Sequence, residues 1–148
     1  MKKIIISAVI AILLIAGGTY WYLEIYQPKQ FAQKIVVIYR DFQVGIRSVG
    51  SDQSLSGQDV MMERYKMATQ EARAKLNAIK PPREMKSIHK DFLEFLDVFQ
   101  LFISSFKSGG FDQTLNEKEQ EQARRGNDLD SKIQELIKTY PDLKSLTE

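Results

Sequence analysis

The sequence predicts an all-α protein in which an N-terminal transmembrane helix precedes an antiparallel up-down four-helix bundle. Three observations point there. Residues 4–23 read IIISAVIAILLIAGGTYWYL without a charge. Beyond residue 27, apolar residues recur at spacings of 3 and 4, the period of a helix and not of a strand. Breakers such as Pro81-Pro82 and Gly109-Gly110 fall between these periodic stretches.

The first element is the apolar run. Met1-Lys2-Lys3 precedes twenty uncharged residues, a helix about 30 Å long and so as thick as a hydrocarbon core. Tyr20, Trp21, Tyr22 and Tyr26 cluster at its far end, where amphipathic rings favour the headgroup zone. Lys2 and Lys3 before the span and Glu24 after it orient the N-terminus toward the cytoplasm. The expected organisation is a signal-anchor helix with a short cytoplasmic N-terminus over residues 1–26, and an extracytoplasmic bundle over 27–148. A competing reading is a signal peptide cut after Gly18, since Ala16-Gly17-Gly18 supplies small residues behind an apolar stretch. Both readings export the region beyond residue 27.

Leu14-Ile15-Ala16-Gly17 resembles the stretch before the lipidated cysteine of bacterial lipoproteins. Here the next residue is Gly18, and the chain has no cysteine, so no lipidation is expected.

The first bundle helix should begin near Pro28, a residue favoured at a helix start. Phe31, Ile35, Ile38, Phe42, Gly45 and Val49 form its stripe, widened by Val36, Val37, Tyr39 and Ile46. Pro28 either kinks a helix continuous with the span or separates two helices. A loop over 50–57 follows, then a capping-box-like start at Ser56 and Asp59. Met61, Tyr65, Ala68, Ala72, Leu76 and Ile79 carry the second helix to Pro81-Pro82. The internal methionines Met61, Met62, Met67 and Met85 read as gap fillers beside the stripes.

The third helix has the strongest pattern. Met85, Ile88, Phe92, Phe95, Phe99, Phe102 and Phe106 alternate spacings of 3 and 4. Leu93, Leu96, Val98, Leu101 and Ile103 broaden its apolar face. Two readings follow. The rings pack a bundle core, or Phe92, Leu93, Phe95, Leu96, Phe99, Phe102, Ile103 and Phe106 line a surface for an apolar ligand or a partner. The fourth helix should run from Thr114 to a stop at Pro141, with Leu129, Ile133, Leu136 and Tyr140 inward. Its first half puts Glu119, Gln122 and Gly126 where apolar residues are expected, as if it frayed before residue 123. Glu121–Arg125 and Asp128–Lys132 should lace its outer face, as Glu71–Lys75 laces the second helix. Residues 141–148 read as a frayed tail.

Composition removes several chemistries. The overall 43% hydrophobic content averages an apolar span with 122 more polar residues, enough to bury roughly two-thirds of their unfolded surface. Without cysteine there are no disulfides, thiolate zinc sites or thiol nucleophiles. The single histidine, His89, lacks a second His and a Gly-x-Ser-x-Gly elbow, and reads as a boundary residue. Asp128-Leu-Asp130-Ser-Lys132 departs from the calcium-loop pattern, and Met85-Lys86-Ser87 before His89 departs from a di-iron Glu-x-x-His. No metal, no cofactor and no catalytic residue is expected. Residues 27–110 carry 13 basic and 9 acidic residues, and 111–148 carry 6 and 9. That balance, without a basic-aromatic reader pattern, predicts no nucleic-acid partner.

The segment from Lys80-Pro81-Pro82-Arg83 through Ile88-His89 to Lys107-Ser-Gly-Gly, taken with the leader, resembles small exported helical domains of Gram-positive-type bacteria. Those domains are membrane-anchored or lipoprotein-like and of uncharacterised function. The resemblance covers about residues 76–110 and implies a helical bundle and export, with no catalytic residues. The expectation from the sequence is a non-enzymatic, membrane-tethered module of the cell envelope. It would hold membrane lipid through residues 4–23, with Lys2, Lys3, Tyr20, Trp21 and Tyr22 as interface anchors, and bind an envelope protein or apolar ligand. The alternatives are an accessory or sensor subunit acting through its span, or a hydrolase with a site near His89.

Overall fold

The computed structural model describes residues 2–51, 58–107 and 113–146, and all regular structure among them is helical. The helices are α1 (Lys2–Trp21), α2 (Gln27–Ser51), α3 (Gln58–Asn77), α4 (Lys86–Lys107) and α5 (Gln113–Thr139). A π-helical turn, Tyr22–Tyr26, joins α1 to α2, and 3-10 turns at Arg83–Met85 and Pro141–Leu146 follow α3 and α5. The expected Ser56 cap, the Gly109-Gly110 stop and most of the 50–57 loop lie outside the described residues.

Pro28 neither separates two helices nor leaves the helix regular. Proline lacks an amide donor, and its ring collides with the carbonyl four residues back in an α-helix. The wider π turn relieves this, because the Gln27 amide donates to the Tyr22 carbonyl five residues earlier. Helix therefore continues from α1 into α2, and Pro28 itself is buried.

Neighbouring helices run antiparallel, as side-chain partners show. Between α2 and α3, Asp41 meets Lys75 while Gly45 meets Ala68. Between α3 and α4, His89 meets Leu76 while Phe99 meets Tyr65. Between α4 and α5, Asp91 pairs with Lys132, Glu94 with Arg125 and Ser105 with Lys118. Tyr39 closes the circuit from α2 to Asp130 on α5. This is a helical bundle with one apolar core.

That core contains Phe31, Ile35, Val36, Ile38 and Phe42 of α2 with Ala72 and Leu76 of α3. Ile88, Phe92, Phe95, Leu96, Phe99 and Ile103 of α4 fill its centre, and Leu129 and Ile133 of α5 close it. The rings meet mostly edge to face. Phe42 lies 5.6 Å from Phe99 and 5.8 Å from Phe95, while Tyr39 lies 5.9 Å from Phe92. Such geometry sets the positive edge of one ring against the negative face of another. The buried Thr69 hydroxyl is satisfied by the Tyr65 carbonyl at 2.7 Å.

Three expectations change here. Residues 141–146 are no frayed tail. They form a 3-10 helix that buries Leu143 and is tied to α2 by Lys29–Asp142 at 2.6 Å and by Arg40 donating to the Leu146 carbonyl. The apolar spacing of Leu143 and Leu146, one 3-10 turn apart, accounts for it. Nor does α5 fray before residue 123, since it is helical from Gln113, with Glu119 exposed and Gln122 half-buried. Gly126 faces the Phe95 ring, from which a Cβ would stand 3.4 Å away, at ordinary contact distance. Finally, Asp128 pairs with Arg124 at 3.5 Å, because Lys132 reaches across to Asp91 on α4.

Candidate functional site

The α4 rings are the residues that the sequence offers for a binding surface. Phe92, Phe95, Leu96, Phe99 and Ile103 are buried, Leu93 and Phe102 are half-buried, and the Phe106 side chain lies outside the described residues. Among the described side chains of this helix the exposed large apolar residue is Leu101, on its outer face. Above the rings, α4 is sealed to α5 by charged bridges. Arg125 holds Glu94 at 2.7 Å and Glu121 at 2.6 Å, and Arg124 holds Glu121 at 2.9 Å. Hydrogen bonds from Arg124 and then Arg125 pull the Glu121 carboxyl down to about 2. Glu94 and Glu121 thus serve as interhelical and intrahelical ion-pair partners.

His89 is structural as well. Its Nε2 lies 3.0 Å from the Leu76 carbonyl in the last turn of α3, and its ring lies 5.9 Å from Phe31. A carbonyl only accepts, so Nε2 carries the proton. The imidazole adds a second donor, beside the Ile79 amide, to a helix-end carbonyl that lacks its regular partner four residues on. Among the described residues no three His, Cys, Asp or Glu side chains are grouped to hold a metal ion.

The junction of α1 and α2 gathers several exposed rings. Every side chain described from Ile12 to Glu24 is exposed, and a Cβ on Gly17 or Gly18 would meet nothing within 4 Å. The Thr19 hydroxyl donates back to the Ile15 carbonyl at 2.7 Å, so this polar group is satisfied within the helix. Trp21 stacks on Tyr26 at 5.4 Å, and Tyr22 lies 5.7 Å from the same ring. The Lys2 and Lys3 side chains lie outside the described residues. Among the described residues no helix is long and apolar enough to cross a membrane. In α1 the described side chains are those of 12–21, half of the roughly 20 residues that a crossing takes.

At the base of the bundle, the α3–α4 turn folds against α2. Pro81 disfavours helix in the residue before it, so α3 stops at Asn77 and the chain turns through Ile79, whose amide donates to Leu76. Between that turn and α2 lies a cleft of about 510 Å³, with Tyr22, Gln27, Gln30, Lys34, Lys80 and Pro82 among its walls. A second, more apolar groove of about 530 Å³ continues from it along Val37, Ile38, Ala78 and Ile79. On the opposite side, Tyr39 donates to Asp130 at 3.0 Å and accepts from Gln43. Burial first, then the hydrogen bond to Asp130, pushes this phenol up to about 12.

The basal cleft was missed by sequence reasoning. Its signal in the sequence was Lys80 beside Pro81-Pro82, and the proximity of Tyr22 and Lys34 exists only in three dimensions. No protein-family model matches the chain, and neither curated proteins nor solved structures yield a match.

Proposed function

We propose that this chain is a single-pass, N-in membrane protein that presents an antiparallel up-down four-helix bundle on the outer side of a bacterial cell membrane. The bundle acts there as a non-enzymatic interaction module for an envelope protein. The observation that carries this reading is α1, which exposes apolar side chains on every face from residue 12 onward and continues as helix into the bundle. An all-round apolar helix calls for an apolar surrounding. The residues 4–23 supply the length, and the Trp21–Tyr26 stack supplies an interface belt. Tethering also raises the effective concentration of the bundle toward partners in the same membrane.

A protein partner is favoured over an apolar ligand, because Phe92, Phe95 and Phe99 of α4 are buried in the core and not offered to a ligand. A hydrolase near His89 is disfavoured, because the imidazole is engaged by the Leu76 carbonyl. The resemblance to small exported helical domains agrees with the anchored reading.

Alkaline extraction of membranes and protease treatment of spheroplasts test the proposal. The full-length chain should stay with the alkaline-washed membrane, and external protease should remove the bundle. A washed-out chain of full length, or a bundle shielded from protease, would overturn it. Release of a form starting at Thr19 would establish cleavage after Gly18 and overturn the anchor. A second reading, an accessory subunit acting through its span, draws on the open surface at Gly17 and Gly18. Replacing residues 4–19 by polyleucine separates the two, since the module reading expects partner crosslinking to persist.

A further inference from the structure

We propose that the base of the bundle docks on an anionic phospholipid surface through Lys34, Lys80, Arg83 and Lys86. This rests on the membrane-anchored reading and adds a partner to it. All four side chains are exposed and have no ion-pair partner among the described residues. Lys29 and Lys90 nearby are occupied by Asp142 and Glu94. The carboxylates on this end that have no ion-pair partner among the described residues are Glu24 in the π turn and Glu84 in the α3–α4 turn, so unpaired cations outnumber unpaired carboxylates two to one.

Position makes the cluster meaningful. Tyr22 and Lys80 line one cleft, with Gln27, Gln30 and Lys34 between them. If Trp21, Tyr22 and Tyr26 sit at headgroup depth, the turn stands beside Gln27–Phe31, about 8–14 Å further along the helix. That is close to a Debye length at physiological salt, about 8 Å, and the flexible stems of Lys and Arg reach lower still. Each cation near such a surface adds to the attraction. Because helix runs without a break from α1 into α2, the height of the turn packed beside α2 follows from that of the span. Charge complementarity and this fixed height together select a lipid surface and not a soluble anion.

The test uses the full-length chain in vesicles of phosphatidylcholine alone, or mixed equally with phosphatidylglycerol. Flotation followed by an alkaline wash reports the anchor, and amide hydrogen exchange over residues 78–90 reports docking. Docking predicts flotation with both lipids and exchange at least about tenfold slower with phosphatidylglycerol. High salt should abolish the slowing. The surface variant Lys80→Gln/Arg83→Gln/Lys86→Gln should abolish it while still floating. Equal exchange in the two lipids with intact flotation overturns the docking and spares the anchor. Flotation only with phosphatidylglycerol, lost on washing, supports docking and removes the anchor. The same protection from inorganic phosphate over phosphatidylcholine vesicles would mark a small-anion site and overturn the lipid assignment.

Discussion

Arg125 of α5 clasps Glu94 of α4 at 2.7 Å while its Nε holds Glu121, one turn earlier on its own helix, at 2.6 Å. One guanidinium therefore ties α4 to α5 and braces a turn of α5 at once. Planar guanidinium donors suit this double engagement better than an ammonium does. Arg125→Ala should lower the unfolding free energy by about 1 kcal/mol, kept small because solvent screens these partly exposed charges. Arg125→Lys should recover only part of it. Urea unfolding of the full chain in detergent micelles measures both.

Acid should loosen the same seam. Glu121 falls from its ordinary 4.5 to about 2, and Glu94, Asp41 and Asp142 are also held low by Arg and Lys partners. A folded-state value below the unfolded one means that the native state binds fewer protons. The Glu121 contribution is complete above pH 4.5 and is lost as pH falls through about 2. Melting temperature followed by circular dichroism should decline over that window, and Arg125→Ala should flatten the decline. At the alkaline end the sign reverses. Tyr39 is raised from 10.0 to about 12, so its contribution is complete below pH 10 and is lost as pH rises through about 12. Tyr39→Phe should flatten that limb.

The two faces of α4 should respond to truncation very differently. Phe92 is fully buried against Tyr39 and Phe42, so Phe92→Ala should cost about 3–5 kcal/mol. Leu101 is 57% exposed, and Leu101→Ala should change stability by no more than about 0.5 kcal/mol. Comparable losses in a denaturant titration would show that α4 packs with another face inward.

Leu143 offers a direct test of the C-terminal turn. Its side chain is 2% exposed among core residues, so Leu143→Ala should cost about 2–5 kcal/mol. A true loose tail would tolerate the change. Limited proteolysis after residue 140 should accelerate in the variant as well, because Lys29–Asp142 and the Arg40 bond to Leu146 lose their support.

The sequence by itself determined that this chain is helical, that α4 carries the strongest apolar period and that an apolar run precedes the bundle. Each follows from local information. A 3-4 period forces Phe92, Phe95 and Phe99 onto one side of a helix, and Pro81-Pro82 ends the preceding one whatever surrounds it. The same locality explains Glu71–Lys75 and Glu121–Arg125, four residues apart and both formed. Only the tertiary structure decided where partners came from other helices. Lys132 left Asp128 for Asp91, and His89 found the Leu76 carbonyl. The candidate site divides along the same line. Lys80, Arg83 and Lys86 are near neighbours in sequence, whereas the cleft that sets Lys80 with Tyr22 and Lys34 depends on how α3 turns back against α2. Spacing along one helix is fixed by its pitch, but the choice among distant charges and voids is settled only when packed helices bring them within reach.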